Sequence, residues 1–213
     1  MKHVDDMTIQ SVSGISGANH PVLQDLETYW HALRHAQRIP LRNDIQPTKI
    51  DSALPHTFIL QRVAPGIARV RVAGQQLHDL LKMDARGMPI STFFLPTSRD
   101  QLSDLIEAAF SEPAIIAVPL IAPGSIVRAQ VTGTMLLLPL RDDAGTTSRM
   151  LGAIVTNGIR GTRPRRFDID QSLTMRHEHL GVRLVTAQSG AQLNETKRPD
   201  VIRPALRLIV NNG

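Results

Sequence analysis

Four arginines, Arg160, Arg163, Arg165 and Arg166, fall within seven residues with no acid among them. A guanidinium presents a rigid fork of donors that matches phosphate and carboxylate oxygens, so the cluster suits an acidic partner. Runs of charge also occur as solvated linkers, and both readings stand at this point. Nucleic acid is the sharper form of the first. Against it, Phe167 is the one aromatic nearby and the whole chain is 3% aromatic, whereas single-strand binders rely on stacking platforms. No helix-turn-helix pattern flanks the cluster. His31 and His35 stand four apart, a spacing that chelates metals on a helix, but no third ligand accompanies them. His177 and His179 alternate, which would place both on one side of an extended strand. His78 stands alone in residues 57–158, where a haem would need an axial ligand. All five histidines read as solvated or structural, and no metal site is expected. The chain has no cysteine, which removes disulfides, thiolate nucleophiles and iron–sulfur ligation. It has no Gly-x-Ser-x-Gly, no glycine-rich phosphate loop and no pair of acids poised for proton transfer. No catalytic residue is assigned, an enzyme is not expected, and the cofactor is left open.

The elements that must position these side chains sit in a chain of 213 residues, 42% apolar and 20% charged. That composition supports a buried core in one domain with extensions. The net charge is +5, and all of it lies in residues 159–213, with ten basic and five acidic residues; residues 1–158 carry 14 of each. No apolar run approaches the roughly 18 residues a membrane span requires. The opening Met1-Lys-His-Val-Asp-Asp lacks an apolar stretch, so a cytoplasmic protein is expected.

Residues 1–20 show no periodicity and read as a flexible arm. From Pro21, the apolar residues Val22, Leu26, Tyr29, Trp30 and Leu33 recur at helical spacing, with proline suited to the first turn. This amphipathic helix must cover the domain's own sheet or pair with a second copy. Two strands follow, Thr57–Val63 and Ile67–Ala73, joined at Ala64-Pro65-Gly66. In the second, Val70 and Val72 alternate with Arg69 and Arg71, which predicts one buried and one wet face. Gln75–Lys82 reads as a short helix with Leu77, Leu80 and Leu81 inward. Ser98-Arg99-Asp100-Gln101 fits a capping box and opens a helix with Leu102, Leu105, Ile106, Ala109 and Phe110 on one face, stopped at Glu112-Pro113. Three strands close the body: Ala114–Ala122, Ile126–Leu140 with a bulge or bend at Gly133, and Leu151–Asn157. Beyond them, His177–His179 sits in an irregular tail, residues 186–200 form a polar loop, and Pro204–Val210 docks back.

The order is β-β-α-(irregular)-α-β-β-β. The stretch Arg69-Val-Arg-Val-Ala-Gly74-Gln-Gln-Leu77-His-Asp-Leu80-Leu81, followed by Arg86-Gly87-Met-Pro-Ile-Ser-Thr-Phe93-Phe94, resembles the PAS domain family. It is most similar to the PAS_5-type subfamily of short, mostly alphaproteobacterial proteins, over roughly residues 23–158. One departure is Lys82, where related sequences often have glycine. The resemblance implies an α+β fold: a five-stranded antiparallel sheet with helices on one face, preceded by the amphipathic helix and followed by a C-terminal extension. It also implies a sensor or interaction module, with a small ligand often held between sheet and helices. The flavin and yellow-protein photoreceptors of this fold need a cysteine, which is missing here.

The expected organisation is therefore an arm (1–20), a PAS domain with its cap helix (21–158) and a basic extension (159–213). The expected function is sensory or regulatory, through an unidentified small molecule, protein contacts, or both; an acidic-partner or nucleic-acid protein is the alternative. Phe58, Leu60, Val70, Leu81, Phe93, Phe110 and Met135 would line a cavity or fill a plain core, with Arg128 as a polar contact. Tyr29 and Trp30 would join a homodimer, and the arginines from Arg160 to Arg166 a separate signalling partner.

Overall fold

The computed structural model describes residues 20–180, apart from residues 127, 158–160 and 162. Arg160, the arm, the 186–200 loop and the Pro204–Val210 segment lie outside the described residues. Helix α1 spans Pro21–Ala32. Strands β1 (Thr57–Ala64) and β2 (Ile67–Ala73), helices α2 (Gln75–Leu81) and α3 (Arg99–Ser111), and strands β3 (Ala114–Ala122), β4 (Val131–Arg141) and β5 (Thr147–Asn157) follow in the expected order. The sheet runs β2-β1-β5-β4-β3, and every pairing is antiparallel.

Two further strands extend it. β6 (Asp168–Ile169) and β7 (Arg176–His179) both pair antiparallel with β3. The tail that reads as irregular in sequence thus supplies the far edge of the sheet as far as His179. His177 and His179 share one side of β7, their rings stacked with centroids 4.5 Å apart.

Side chains alternate across a strand, so a sheet covered on both faces reads as a continuous apolar run. β3 has that pattern: Ile116, Val118 and Leu120 enter an inner core, and Ile115 and Ala117 an outer one. The inner core lies beneath α2, α3 and the Ile90–Phe93 turn. The outer core is closed by α1, through Leu23, Leu26 and Trp30, together with Ile45, Ile50 and Ala53. Helix α1 therefore covers the chain's own sheet. Trp30 is 0% exposed, and its indole N–H donates to the Pro139 carbonyl at 3.0 Å, which satisfies the one polar group of a buried ring.

Several local readings change. The β1–β2 register shifts between Ile59 and Leu60, so Val70 faces Leu60 but Val72 faces Ile59, and Arg71 is the extra residue. A bulge of this kind inverts the phase of the strand, and Val72 ends 46% exposed while Val70 is buried. β4 begins at Val131, not at Ile126. The Ser125 and Arg128 backbones bond each other, at 2.8 and 3.1 Å, and fold that stretch into a turn. Gly133 is no bulge: its register with β3 and β5 is regular, and a Cβ there would meet the Val155 carbonyl at 2.4 Å. Gly152 has an equally specific reason. It faces Phe58 across the β1–β5 pair, and a Cβ would lie 2.3 Å from the ring. Lys82 closes α2 in the left-handed conformation, φ 56°, the conformation glycine adopts without strain.

Candidate functional site

The inner layer gathers the expected cavity residues. Phe58 and Leu60 come from β1, Val70 from β2, Leu81 from α2, Phe93 from the Ile90–Phe93 turn, Phe110 from α3 and Met135 from β4. All seven are buried and belong to one continuous core with Phe94, Leu77 and Ile106. Arg128 lies apart from them, in the turn before β4.

The capping box takes on a different task. Ser98 does stand at the N-cap of α3, yet its side chain makes no capping bond. Its hydroxyl donates to Asp168 Oδ1 at 3.0 Å and accepts from the Ile169 backbone N–H at 3.0 Å. Thr97 also donates to Asp168, and Gln101 Oε1 accepts from Gln171 at 2.8 Å. Both polar residues of the local motif are thus turned toward the segment that follows the fifth strand.

That segment is stitched to the inner layer along its length. The Arg165 N–H donates to the Leu80 carbonyl at 2.8 Å, Phe167 N–H to Phe93 O at 2.8 Å, and Leu95 N–H to Phe167 O at 2.8 Å. Phe167 is fully buried and joins the inner core. At the other end, Arg176 on β7 donates two bonds to Glu27 on α1, at 2.8 and 2.7 Å, and a third to Glu178. Burial alone would lower the Arg176 pKa, but these carboxylates more than offset it and raise it above the ordinary value. Burial, helped by neighbouring His179, lowers that of His177.

Of the arginine cluster, Arg163 and Arg166 are exposed, whereas Arg165 is buried at 7% exposure. Its Nε has no hydrogen-bond partner among the described residues. Arg128 reaches the same corner, its Nη2 directed at the Arg163 and Pro164 carbonyls at 3.4 and 3.3 Å. A cavity of about 350 Å³ opens here, lined by Leu95, Ala122, Pro123, Arg128, Pro164, Arg165 and Arg166. In the sequence Arg128 groups with the interior residues, because nothing in the local pattern brings the β3–β4 turn to the segment after β5.

His78 and His31 have structural partners, whereas His35 lies beyond the end of α1, so His31 and His35 do not form a pair on one helix. His78 Nδ1 accepts the Ala85 backbone N–H at 3.1 Å, closing the loop after α2. His31 lies 3.5 Å from Glu27. Among the described residues no group of three or more His, Asp or Glu side chains is placed to hold a metal ion. Nor, among them, is any helix long and apolar enough to cross a membrane.

A five-stranded antiparallel sheet in the order 2-1-5-4-3, with α2, the Ile90–Phe93 turn and α3 packed on its inner face, defines a PAS domain, the class of sensory signal-transduction modules. The family model of the PAS domains designated PAS_5 matches residues 18–155, well over half of the chain, and the chain belongs to that family. No curated protein matches it. Among solved structures it is similar to a light-oxygen-voltage domain studied with a flavin analogue: 14% identity, 52% of this chain and 83% of that one, TM-score 0.40. The light-state Aureochrome1 LOV domain, a blue-light photoreceptor, gives 15%, 51% and 86%, and 0.39. An RNA-binding light-oxygen-voltage receptor gives 15%, 54% and 33%, and 0.37.

Proposed function

We propose that the chain is a cytoplasmic sensory and regulatory protein of signal transduction, whose PAS domain takes the input and whose C-terminal segment passes it on. The observation that carries this reading is the tie between Ser98, Gln101 and the Asp168–Gln171 stretch. The start of α3 gives up its local cap to hold the outgoing segment, and Phe167 is wedged beside Phe93 and Phe94. A displacement of the inner helices therefore pulls on the segment directly. The input would be a small molecule admitted among Phe58, Leu60, Val70, Leu81, Phe93, Phe110 and Met135, or a protein contact. A ligand entering a layer of such buried side chains has to move some of them, which is what makes entry a signal. The output would go to a separate signalling protein. A homodimer through α1 would use its polar outer face, with Tyr29 at the border, since Trp30 is committed to the chain's own core.

The test is native mass spectrometry of the full chain purified from its natural host. A bound small molecule or a co-purifying protein supports the reading, and a doubled mass adds the homodimer. A chain recovered empty, monomeric and without a partner refutes it. The buried Nε of Arg165, without a hydrogen-bond partner among the described residues, favours a second reading, in which the arginines that follow the fifth strand receive an acidic partner. Nucleic acid fits that reading poorly, because the one aromatic beside the cluster, Phe167, is itself buried and offers no base a stacking face.

A further inference from the structure

A buried polar N–H without a partner is costly, and native proteins seldom tolerate one without a use for it. Among the described residues the Arg165 Nε has that character, and Arg165 lines a cavity whose other charged walls are Arg128 and Arg166. The described residues lining it include no acid. The opposite walls, Leu95, Ala122, Pro123 and Pro164, are apolar. The Arg165 backbone is tied to Leu80 and that of Arg128 to Ser125, and the Arg128 Nη2 is directed at the Arg163 and Pro164 carbonyls, so both arginines start from fixed points at one corner. We infer that this cavity binds a small organic oxyanion, a carboxylate or a phosphate ester, with its charged head on Arg165 and Arg128 and its apolar body against Leu95 and the prolines. The site is distinct from the space between sheet and helices. It rests on the second reading above, that these arginines face a bound anion, and narrows the anion to a small molecule. Because Arg165 is bonded to the C-terminal end of α2 and lies two residues before Phe167, occupancy of the cavity would bear on the same segment that the sensory reading treats as output.

The experiment follows the arginine Nε–Hε resonances of the full-length ¹⁵N-labelled protein during titration with inorganic phosphate and, separately, with hexanoate, at ionic strength held constant with sodium chloride. The Arg165 signal is assigned by its loss in Arg165→Met. A saturable shift of that signal with phosphate, with hexanoate or with both supports the site and tells the phosphate source from the carboxylate one. Read on the Arg128 and Arg166 signals, whose side chains also line the cavity, binding should weaken about tenfold to a hundredfold in Arg165→Met; read on the Arg165 signal, it should weaken measurably in Arg128→Gln, the loss expected for a charge-assisted hydrogen bond. Arg165→Lys keeps the charge without the fork and should also weaken binding, which covers the case of a poorly folded Met variant. Without anion, Arg165→Met should melt no lower than the parent, because an apolar isostere removes a buried N–H that has no partner among the described residues. A clear drop in melting temperature would mean that Arg165 is structural and overturns the proposal. So does an Arg165 signal that does not saturate with either anion. Binding to polynucleotide alone, falling steeply with salt, would also overturn it while leaving the acidic-partner reading intact.

Discussion

Replacing Gly152 by alanine should unsettle the inner core from a position that looks innocuous in the sequence. Gly152 lies on β5 between Met150 and Ile154, both inward, and directly faces Phe58 on β1. The Phe58 ring occupies the space a side chain would take, 2.3 and 2.4 Å from an added Cβ at its two nearest atoms. Carbon atoms rest at about 3.5–4.0 Å, so the ring must retreat by more than about 1 Å. Phe58 is 1% exposed and enclosed, which leaves it nowhere to go without shifting its neighbours. Overpacking of this sort costs about 1–3 kcal/mol. The lower chain entropy of alanine in the unfolded state returns about 0.4–1 kcal/mol. The net expectation is a loss of about 1–2 kcal/mol, or roughly 2–8 °C in melting temperature for a chain of this size. Urea unfolding followed by the fluorescence of Trp30, the sole tryptophan, measures it, with the denaturant slope unchanged. Phe58→Leu in the same background should recover part of the loss, giving a coupling of about 0.5 kcal/mol or more. If Gly152→Ala is as stable as the parent, or the two substitutions simply add, the account of this contact is wrong.

Lys82→Gly should stabilise the protein by about 0.5–1 kcal/mol, because Lys82 sits at φ 56°, where a side chain is strained; a melting temperature that stays level or falls contradicts this. Ser98→Ala should speed amide hydrogen exchange at Ile169, whose N–H its hydroxyl receives, and leave the first turn of α3 little changed; faster exchange at α3 alone would restore the capping-box reading. Glu107 accepts the Gly66 N–H at 2.9 Å and pairs with Arg62, and those bonds, the Gly66 one foremost, hold its carboxyl below the ordinary 4.5. A lowered carboxylate contributes stability above its unfolded value and loses it as the pH falls. The stability gap between the parent and Glu107→Gln should therefore be full at neutral pH and narrow as the pH drops below 4.5; a gap independent of pH would remove Glu107 as the cause.

Much of the body was legible because its signals are local. Proline at the head of α1, the Pro65-Gly66 turn, the apolar runs of β3 and β5 and the inward face of α3 each state their element within a few residues. What the sequence concealed depends on residues far apart. An amphipathic pattern says that α1 buries one face, and only the sheet's own outer residues, such as Ile115 and Leu151, decide against what. The Ser98–Gln101 motif satisfies every local rule for a cap, yet Asp168 and Gln171, about seventy positions on, compete for the same side chains and win. The phase change at Arg71 comes from a bulge that alternation cannot announce. Arg128 and Arg165 meet only because a turn before β4 and a segment after β5 return to one corner, and no periodicity encodes that meeting. For the arginines, composition named the chemistry, and the fold alone supplied the enclosure.

The two-pronged bond between Glu27 and Arg176 fastens the first helix of the domain to its last strand. Val22 and Leu180, near the outermost described positions of the chain, rest against the same outer core. Mechanically this closes a hoop: tension entering ahead of Pro21 reaches the strand before Leu180 by a direct link through one guanidinium, alongside the path through the outer core in which α1 is seated. A tether on either side would feel the slackening of the other, and the direct link parts at a single side chain.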